Sequence, residues 1–298
     1  MKKTTLATLA SLGGYGIFGG SFLFSSVALS QASPMVLLSV RFTIAFITLN
    51  LIVLIWKIPM TFRGKPIKNL LLLGIVHPVI YYICENYGIA MTSTSFSGVI
   101  LGTIPVFGLL LGRTLLKEKV TALQFVCAAV SIFGVGLTCV GGEFSFSPLG
   151  AVLLLSASAI AALSNVLSRD TARHFSAMER TYIMFAFGSV AFTLIALFQN
   201  RSDLSAFTAP LSSSSFWVAT LYLAVLSSVG AFLLLNFATS HISSSRVSLF
   251  TNCATVISVL LGIFVMGDVF APVQLVGVGL IVGSMFIVSV YGNLKSEA

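Results

Sequence analysis

Charged residues are scarce in this chain. Only 8% of its 298 residues are Asp, Glu, Lys or Arg, whereas soluble domains contain roughly 25%. So few charges cannot cover the water-facing surface of a soluble protein of this length. Hydrophobic residues make up 57% of the chain, and its mean hydropathy is +1.06. We therefore expect a membrane protein, whose backbone must satisfy its own hydrogen bonds as helices or as a closed barrel.

The short alternation of apolar and polar residues that is typical of barrel strands is also missing. The apolar runs instead continue for about twenty residues, the length of a membrane-spanning helix. Ten such runs predict an all-α polytopic membrane protein with ten transmembrane helices. The first run exceeds the roughly 7–15 residues of a signal-peptide core, so we interpret it as an uncleaved span. The candidate spans are 6–28, 34–56, 69–90, 96–116, 121–140, 148–168, 180–198, 215–238, 245–266 and 272–291.

The sequence lacks the common motifs for cofactors and catalysis. It has no phosphate-binding glycine loop, no HExxH pattern, no paired intramembrane aspartates and no Gly-x-Ser-x-Gly nucleophile motif. These absences disfavour an ATP-driven pump, a metal centre, a bound cofactor and an intramembrane enzyme. The cysteines lie within apolar runs without paired spacing, so we predict buried thiols and neither a disulfide nor a zinc site. They are Cys84, Cys127, Cys139 and Cys253.

The distribution of Lys and Arg predicts the orientation of the spans. With the N-terminus inside, 14 of the 16 basic residues fall in cytoplasmic segments, while Arg201 falls in an outer loop and Arg41 within a span. Both termini, with tails 1–5 and 292–298, are then cytoplasmic in a multi-pass protein of the cell membrane. Sidedness and the anionic inner leaflet account for the net charge of +8, which disfavours nucleic-acid binding. The cytoplasmic set is Lys2, Lys3, Lys57, Arg63, Lys65, Lys68, Arg113, Lys117, Lys119, Arg169, Arg173, Arg180, Arg246 and Lys295.

Polar residues recur at a fixed offset of 150 residues, so that Asn86 matches Asn236 and Gln124 matches Gln274. Such a duplication is typical of membrane transporters. Five spans in each half would place the second copy antiparallel to the first, as an inverted repeat. We predict the repeats over 6–140 and 148–291. Further matches join Tyr87 to Phe237, Ser93 to Ser243, Ser95 to Ser245, and Leu110-Leu111-Gly112 to Leu260-Leu261-Gly262.

The order and spacing of these residues resemble the drug/metabolite transporter superfamily and its EamA branch, with two EamA-type repeats covering essentially the whole chain. The resemblance implies a ten-helix secondary carrier, and many such carriers export amino acids and related metabolites. Thr255 stands where the family proline would recur, Asp268 replaces the usual Glu, and Cys127 sits where the second half has Gly277. The residues that carry the resemblance are Pro34, Arg41, Ser93-Thr94-Ser95, Ile104-Pro105-Val106, Gly112, Glu118, Gln124, Gly134, Gly262, Asp268, Gln274, Gly277 and Gly283.

Two ionisable residues lie at membrane depth, where such groups are rare and often functional. Arg41 lies roughly 10 Å below the outer end of the second span, and Glu85 roughly 7–8 Å below the outer end of the third. We expect a salt bridge between them if these spans are neighbours. One interpretation is a structural pair that locks the first repeat, and the other is a charged vestibule that takes part in gating or coupling.

A second group of candidates surrounds Pro78, which loosens the third span because it lacks a backbone donor. His77, Tyr81 and Glu85 share one broad face of that span, and Tyr15 lies among glycines in the first. One interpretation is structural: the glycines allow tight helix packing, and His77 is a core histidine whose hydrogen bonds are satisfied. Alternatively, Tyr15, His77 and Tyr81 line a cavity and bind an amino-acid-like solute. His77 and Glu85 are also the deep titratable groups able to couple transport to protons.

The repeated asparagines, Asn86 and Asn236, are interpreted as scaffold residues that cap or cross-link helices. Asn165 and Asn252 lie closer to the inner face and are candidates for an inner vestibule. The expected function is that of a secondary transporter that moves a small metabolite, an amino acid or related compound, most simply outward, by alternating access. A membrane channel and a multidrug efflux protein stay open as alternatives. The expected partners are the solute, the lipid bilayer and a coupling proton.

Overall fold

Helices occupy all ten of the predicted apolar runs. The structure is a computed structural model that describes residues 3–117, 121–138, 147–243, 247–248, 250–267 and 271–291, and no strand occurs within these ranges. Seven segments are long and apolar enough to cross a membrane. The remaining three are shorter apolar helices, Ala122–Gly134, Cys253–Met266 and Pro272–Ser284. The all-helical membrane architecture is confirmed, while the count of ten spans stays a prediction.

Ten labels suffice for the long segments, and αn and αn+5 are repeat equivalents. The single helices are α1 (Lys3–Leu29), α2 (Pro34–Ile55), α5 (Ala122–Thr138), α6 (Pro148–Thr171), α7 (Ala177–Gln199) and α10 (Pro272–Tyr291). The interrupted ones are α3 (Lys68–Ala90), α4 (Thr94–Leu101 and Ile104–Leu115), α8 (Ser214–His241) and α9 (Thr251–Leu261, then Gly262–Met266). A helical turn at Ser205–Thr208 and a 3₁₀ turn at Ala209–Ser212 connect α7 to α8.

Two of the interrupted helices, α3 and α8, contain a π-helical stretch in their middle. In α3, His77 has the non-helical angles φ −139° and ψ 114° just before Pro78, within a π-helical stretch over Ile75–Ile80. A second π-helical stretch, Tyr222–Ala231, lies within α8. Irregular backbone at membrane depth is tolerated where it lines a cavity or is covered by protein. The expected loosening of the third span at Pro78 is confirmed.

Two pairs of equivalent helices, α5 with α10 and α2 with α7, pack antiparallel to each other. In the α5–α10 pair the Ser131 and Ser284 hydroxyl oxygens are 2.6 Å apart, and Gly134 lies against the backbone of Gly277. A later residue of α5 therefore meets an earlier residue of α10. This is the packing that an inverted repeat predicts for its equivalent helices.

The α2–α7 pair reveals a repeat that the sequence analysis missed. Ser39-Val40-Arg41-Phe42-Thr43 recurs as Ser189-Val190-Ala191-Phe192-Thr193, at the same offset of 150. Hydroxyl pairs bridge the two helices, Ser39 to Thr193 at 3.2 Å, Thr43 to Ser189 at 3.4 Å, and Thr43 to Thr193 at 3.3 Å. The first two contacts are related by exchanging the halves. The arginine is the residue of this motif that the second copy replaces.

Helix capping explains why Gln124 and Gln274 recur. The Gln124 side-chain oxygen accepts from the backbone N–H of Thr121 at 2.8 Å, and the Thr121 hydroxyl accepts from the Gln124 N–H at 3.3 Å. This reciprocal pair is a capping box at the start of α5. Gln274 accepts in the same way from the N–H of Ala271 at 2.8 Å. Alanine has no side-chain acceptor, so the second copy of the box is incomplete.

Ala271→Thr is expected to raise the free energy of unfolding by about 1 kcal/mol, because it supplies the missing N-cap acceptor. Thr121→Ala is the matched control and should lower it by a similar amount. Both are measured by thermal unfolding of the purified protein in one detergent. Equal stability of Ala271→Thr and the parent chain would contradict the capping account.

The observed helix limits correct one assignment. The seventh span was predicted from residue 180, but α7 begins at Ala177, because Ser176 and Glu179 form a capping box that extends it. Arg180 therefore belongs to the first turn of α7 and is buried, although the sequence analysis placed it at the edge of the span and counted it among the cytoplasmic residues. Other parts of the sequence analysis lie outside the described residues: Lys2, Glu118, Lys119, Cys139, Ser245, Arg246, Asp268, the tail 292–298 and the side chains of Ser95 and Asn252.

Candidate substrate cavity

A cavity of about 880 Å³, including the space at its mouth, lies at the centre of the bundle. Within the described part of the chain, every long helix contributes to its lining except α5 and α10. The residues selected from the sequence are brought together in its wall: Tyr15, Arg41, His77, Tyr81 and Glu85. The polar lining comes mainly from hydroxyl and amide groups on both halves: Ser21, Ser25, Ser164, Asn165, Ser168, Ser227, Asn236, Thr239, Thr251 and Thr255.

Aromatic rings form one wall of the cavity around the break in α3. The His77 ring stacks on the Tyr81 ring with centroids 4.4 Å apart and an interplanar angle of 21°. Phe232 of α8 lies 5.0 Å from the same His77 ring. His77 Nδ1 is buried and has no hydrogen-bond partner. The interpretation of His77 as a core histidine with satisfied hydrogen bonds is therefore wrong.

Tyr15 reaches the cavity from α1. Its hydroxyl accepts from the Asn165 amide of α6 at 3.4 Å, and the same amide donates to the Ser248 hydroxyl at 3.1 Å. The neighbouring glycines serve helix packing. A Cβ at Gly19 would lie 2.6 Å from a side-chain carbon of Ile257, so α1 approaches α9 closely at this point. Packing explains the glycines, while Tyr15 itself faces the cavity.

The predicted salt bridge between Arg41 and Glu85 is wrong. Arg41 donates instead to the Tyr82 hydroxyl at 3.0 Å, and the Tyr81 hydroxyl donates to Glu85 Oε1 at 2.6 Å. Successive side chains on a helix point about 100° apart. Tyr82 therefore bonds to Arg41 while Tyr81 bonds to Glu85. Among the described residues, the ion pair found is Lys65–Glu179.

The repeated asparagines have different surroundings. Asn86 bonds within its own helix, to the Tyr82 carbonyl at 3.1 Å, and weakly to Glu85 Oε2 at 3.4 Å. Asn236 joins three helices, because it donates to Thr181 of α7 at 2.8 Å and accepts from Ser168 of α6 at 2.7 Å. Only the second of these side chains also lines the cavity.

Arg180 is a buried residue that the sequence analysis missed. It is 0% exposed, and it donates to the Ser168 carbonyl at 2.6 Å and the Thr239 hydroxyl at 3.0 Å. It also donates to the carbonyl of Asn236. These acceptors belong to α6 and α8, and their side chains line the cavity. The capping-box pattern Ser176-x-x-Glu179 was the signal that could have started the helix at Ala177 and so moved Arg180 inward from its end.

Glu179 ties the connection between α2 and α3 to the start of α7. Its carboxylate accepts from the Thr61 N–H at 2.8 Å, from Lys65 Nζ at 3.0 Å and from the Ser176 N–H at 2.7 Å. Because Glu179 is 3% exposed and Lys65 27%, the pair is only partly solvated. The Lys65–Glu179 pair joins the first half of the chain to the second. It lies beyond the C-terminal end of α2, whereas Arg41 lies near the N-terminal end of that helix.

Comparison with known proteins decides the family. The family model described as the EamA-like transporter family matches residues 5–140 and again residues 148–290. The chain belongs to the EamA-like transporter family. Its resemblance to that family is therefore confirmed, as are its two EamA repeats.

Relatives of this EamA-like transporter are themselves transporters by name. An uncharacterized transporter, YcxC of Bacillus subtilis (strain 168), is 30% identical over 266 residues, covering 88% of this chain and 85% of the relative. The uncharacterized inner membrane transporter YedA of Escherichia coli (strain K12) is 25% identical over 281 residues, covering 92% and 88%. A probable terminal-alkyne amino-acid exporter of Streptantibioticus cattleyicolor is 26% identical over 229 residues, covering 76% and 74%.

A solved crystal structure has the same fold as this EamA-like transporter. The two align with a TM-score of 0.70 and 19% identity, covering 98% of this chain and 99% of that chain. With its membrane-spanning helices, the protein is a membrane transporter of a family that consists of transporters and not of enzymes. A small-molecule solute and membrane lipid are its implied partners.

Proposed function

We propose that this EamA-like transporter is a secondary carrier that exports an amino acid or a related small metabolite across the cell membrane by alternating access. The cavity between the two repeats carries the proposal. Its wall is largely apolar, with a few polar groups that converge from both halves, and this composition is typical of small-molecule sites. Tyr15, His77 and Tyr81 are the proposed solute-binding residues.

Two polar links between the halves support alternating access. Near the start of α2, Arg41 bonds to Ser227 and Ser228 of α8. Beyond the end of α2, Lys65 and Thr61 bond to Glu179 of α7. The two links are separated by most of the length of α2, which is roughly 20 Å from Arg41 onward. A carrier needs one closure on each side of its solute, and these links are suitably placed to open in turn.

An amino-acid-like solute is proposed for two reasons. The cavity offers hydroxyl, amide and imidazole groups together with one cation and one carboxylate, which suits a small polar molecule better than a large apolar drug. The similarity to a probable terminal-alkyne amino-acid exporter favours the same class and the outward direction. The predicted orientation, with both termini cytoplasmic, belongs to this proposal.

Counterflow into proteoliposomes tests the proposal. Vesicles are loaded with each unlabelled amino acid in turn, and uptake of the labelled compound against its gradient is recorded. Saturable counterflow is expected of a carrier, whereas non-saturating conductance would indicate a channel. Flux of cationic drugs without flux of any amino acid would favour a multidrug efflux protein instead.

Glu85→Gln is expected to abolish the response of transport to an imposed pH gradient while leaving counterflow measurable. Glu85 is a buried carboxylate in the cavity wall, so it can bind and release the coupling proton when its side of the cavity opens. Asp203→Asn, which changes an exposed acid in a connecting segment, is the matched control and should respond normally. A pH response that persists in the His77→Ala, Glu85→Gln double variant would contradict proton coupling through this cavity.

A further inference from the structure

We propose that Arg41 recognises a carboxylate group of the solute, and that Ser227 and Ser228 are positioning residues that hold its guanidinium in place. This inference rests on the proposed function and names the group of the solute that the cavity selects. Arg41 lines the cavity and is 1% exposed, and its side chain stays charged in proteins. A buried charge is costly unless an opposite charge or several hydrogen bonds compensate it.

The hydrogen bonds of Arg41 compensate its charge only in part. Nε donates to the Ser228 hydroxyl at 3.0 Å, and Nη2 donates to Ser227 at 3.2 Å and to Tyr82 at 3.0 Å. All three acceptors are neutral hydroxyls, and no carboxylate of the described residues lies within 4 Å. The Tyr82 ring adds a cation–π contact, with Cζ of Arg41 4.4 Å from the ring centroid.

The remaining donors are available to a ligand. A guanidinium has five N–H groups, and the three bonds above use Nε and Nη2. The two N–H groups of Nη1 have no partner within the described chain and are not fully enclosed. A fixed guanidinium with two free donors at a cavity wall suits a carboxylate, because such charge-assisted bonds are stronger than bonds to neutral groups. Glu85, which lines the same cavity, offers a complementary charge for the ammonium group of a zwitterion.

The repeat argues against a purely structural role for Arg41. In the second copy of the motif, Ser189, Phe192 and Thr193 are retained, while alanine replaces the arginine at residue 191. The retained residues all contact α2, Ser189 and Thr193 through hydroxyl pairs and Phe192 through the Phe42 ring. The pairing of these helices therefore does not depend on an arginine at the equivalent position. Ser227 and Ser228 belong to the second half, so the bonds of Arg41 connect the two repeats. A carboxylate bound to Arg41 would therefore lie beside a contact between the repeats.

The test compares each amino acid with its own carboxamide, which removes the negative charge and keeps the shape. Counterflow KM values are measured in proteoliposomes for leucine, phenylalanine and threonine and for the three amides. The ratio of the amide KM to the acid KM does not depend on how much protein is folded. Wild-type protein is expected to prefer the acid, and Arg41→Gln to reduce this ratio by about 10- to 100-fold, the effect of losing a charged hydrogen bond.

Ser227→Ala, Ser228→Ala is the second variant, and it decides the outcome should Arg41→Gln fail to fold. It keeps the charge but removes two of the three bonds that orient it, so the ratio is expected to fall about three- to tenfold. Arg201→Gln changes an exposed arginine and should leave the ratio unchanged. An unchanged ratio in Arg41→Gln, or in the serine variant where the first does not fold, would overturn the proposal.

The wild-type results separate the two levels of inference. Flux of acids and amides with equal KM would overturn the role of Arg41 and leave the carrier function standing. Absence of flux for every acid and every amide would contradict the proposed function, and this inference would fall with it.

Discussion

Glu179→Ala is expected to lower the free energy of unfolding by about 3 kcal/mol. The substitution leaves the backbone N–H groups of Thr61 and Ser176 and the ammonium of Lys65 without their shared acceptor. Hydrogen bonds to charged groups contribute about 1.5–3 kcal/mol each, and the partial exposure of Lys65 reduces its share. The Ser176 bond is the half of the α7 capping box that the Glu179 side chain supplies, and the other half, from the N–H of residue 179 to the Ser176 hydroxyl, is kept in the variant. Stability is measured by thermal unfolding in detergent.

A matched acid and a local probe make this prediction specific. Asp170 accepts one exposed hydrogen bond, from the Asn69 side chain at 2.8 Å, so Asp170→Ala should change stability by less than about 0.5 kcal/mol. Hydrogen exchange at the Thr61 amide should accelerate in Glu179→Ala, because its acceptor is gone. Equal losses of stability in the two variants, with unchanged exchange at Thr61, would show that Glu179 does not tie this connection to α7.

Gly134→Leu is expected to cost about 3 kcal/mol of unfolding free energy and to separate α5 from α10. A Cβ at Gly134 would lie 2.7 Å from the backbone oxygen of Gly277 and 2.9 Å from a side-chain carbon of Ile281. A backbone oxygen cannot rotate away, so the helices must move apart and lose the 2.6 Å contact between Ser131 and Ser284. Overpacking of this kind costs about 1–3 kcal/mol, and occasionally more.

Gly136 provides the control on the same helix. A Cβ there meets nothing within 4 Å, so Gly136→Leu should be tolerated and gain slightly from its better helix propensity. Both variants are compared by thermal unfolding in one detergent. A similar stability of the two would mean that α5 and α10 do not pack as closely as described.

The sequence predicted the residues of the cavity better than it predicted their contacts. His77, Tyr81 and Glu85 were selected because their spacing puts them on one face of a helix, and the structure places all three in the cavity wall. The salt bridge of Glu85 with Arg41 was inferred from equal depth alone. The depth of a residue in the membrane does not give the direction in which its side chain points around the helix axis. That direction places Tyr81 next to Glu85 and Tyr82 next to Arg41.

Two features were missed in the sequence, the burial of Arg180 and the second copy of the Ser39-to-Thr43 motif. Arg180 was counted among the cytoplasmic residues because it begins the predicted seventh span, and the count of charges takes no account of the capping box that extends the helix to Ala177. The second copy of the Ser39-to-Thr43 motif was overlooked, although it follows the same offset as the matches that were found. Its meaning becomes clear only when the hydroxyls of α2 and α7 are seen to face each other.

The sequence by itself determined that this protein is helical, lies in lipid and is built from two related halves. These properties depend on composition and on the order of residues along the chain, because a backbone without water must bond to itself over each apolar run. Only the tertiary structure decided which groups meet. Arg41 donates a hydrogen bond to the hydroxyl of Ser228, which is 187 residues away in the sequence. Glu179 accepts one from Lys65, which is 114 residues away. Such contacts require atoms about 3 Å apart, a distance set by how the helices are rotated and packed.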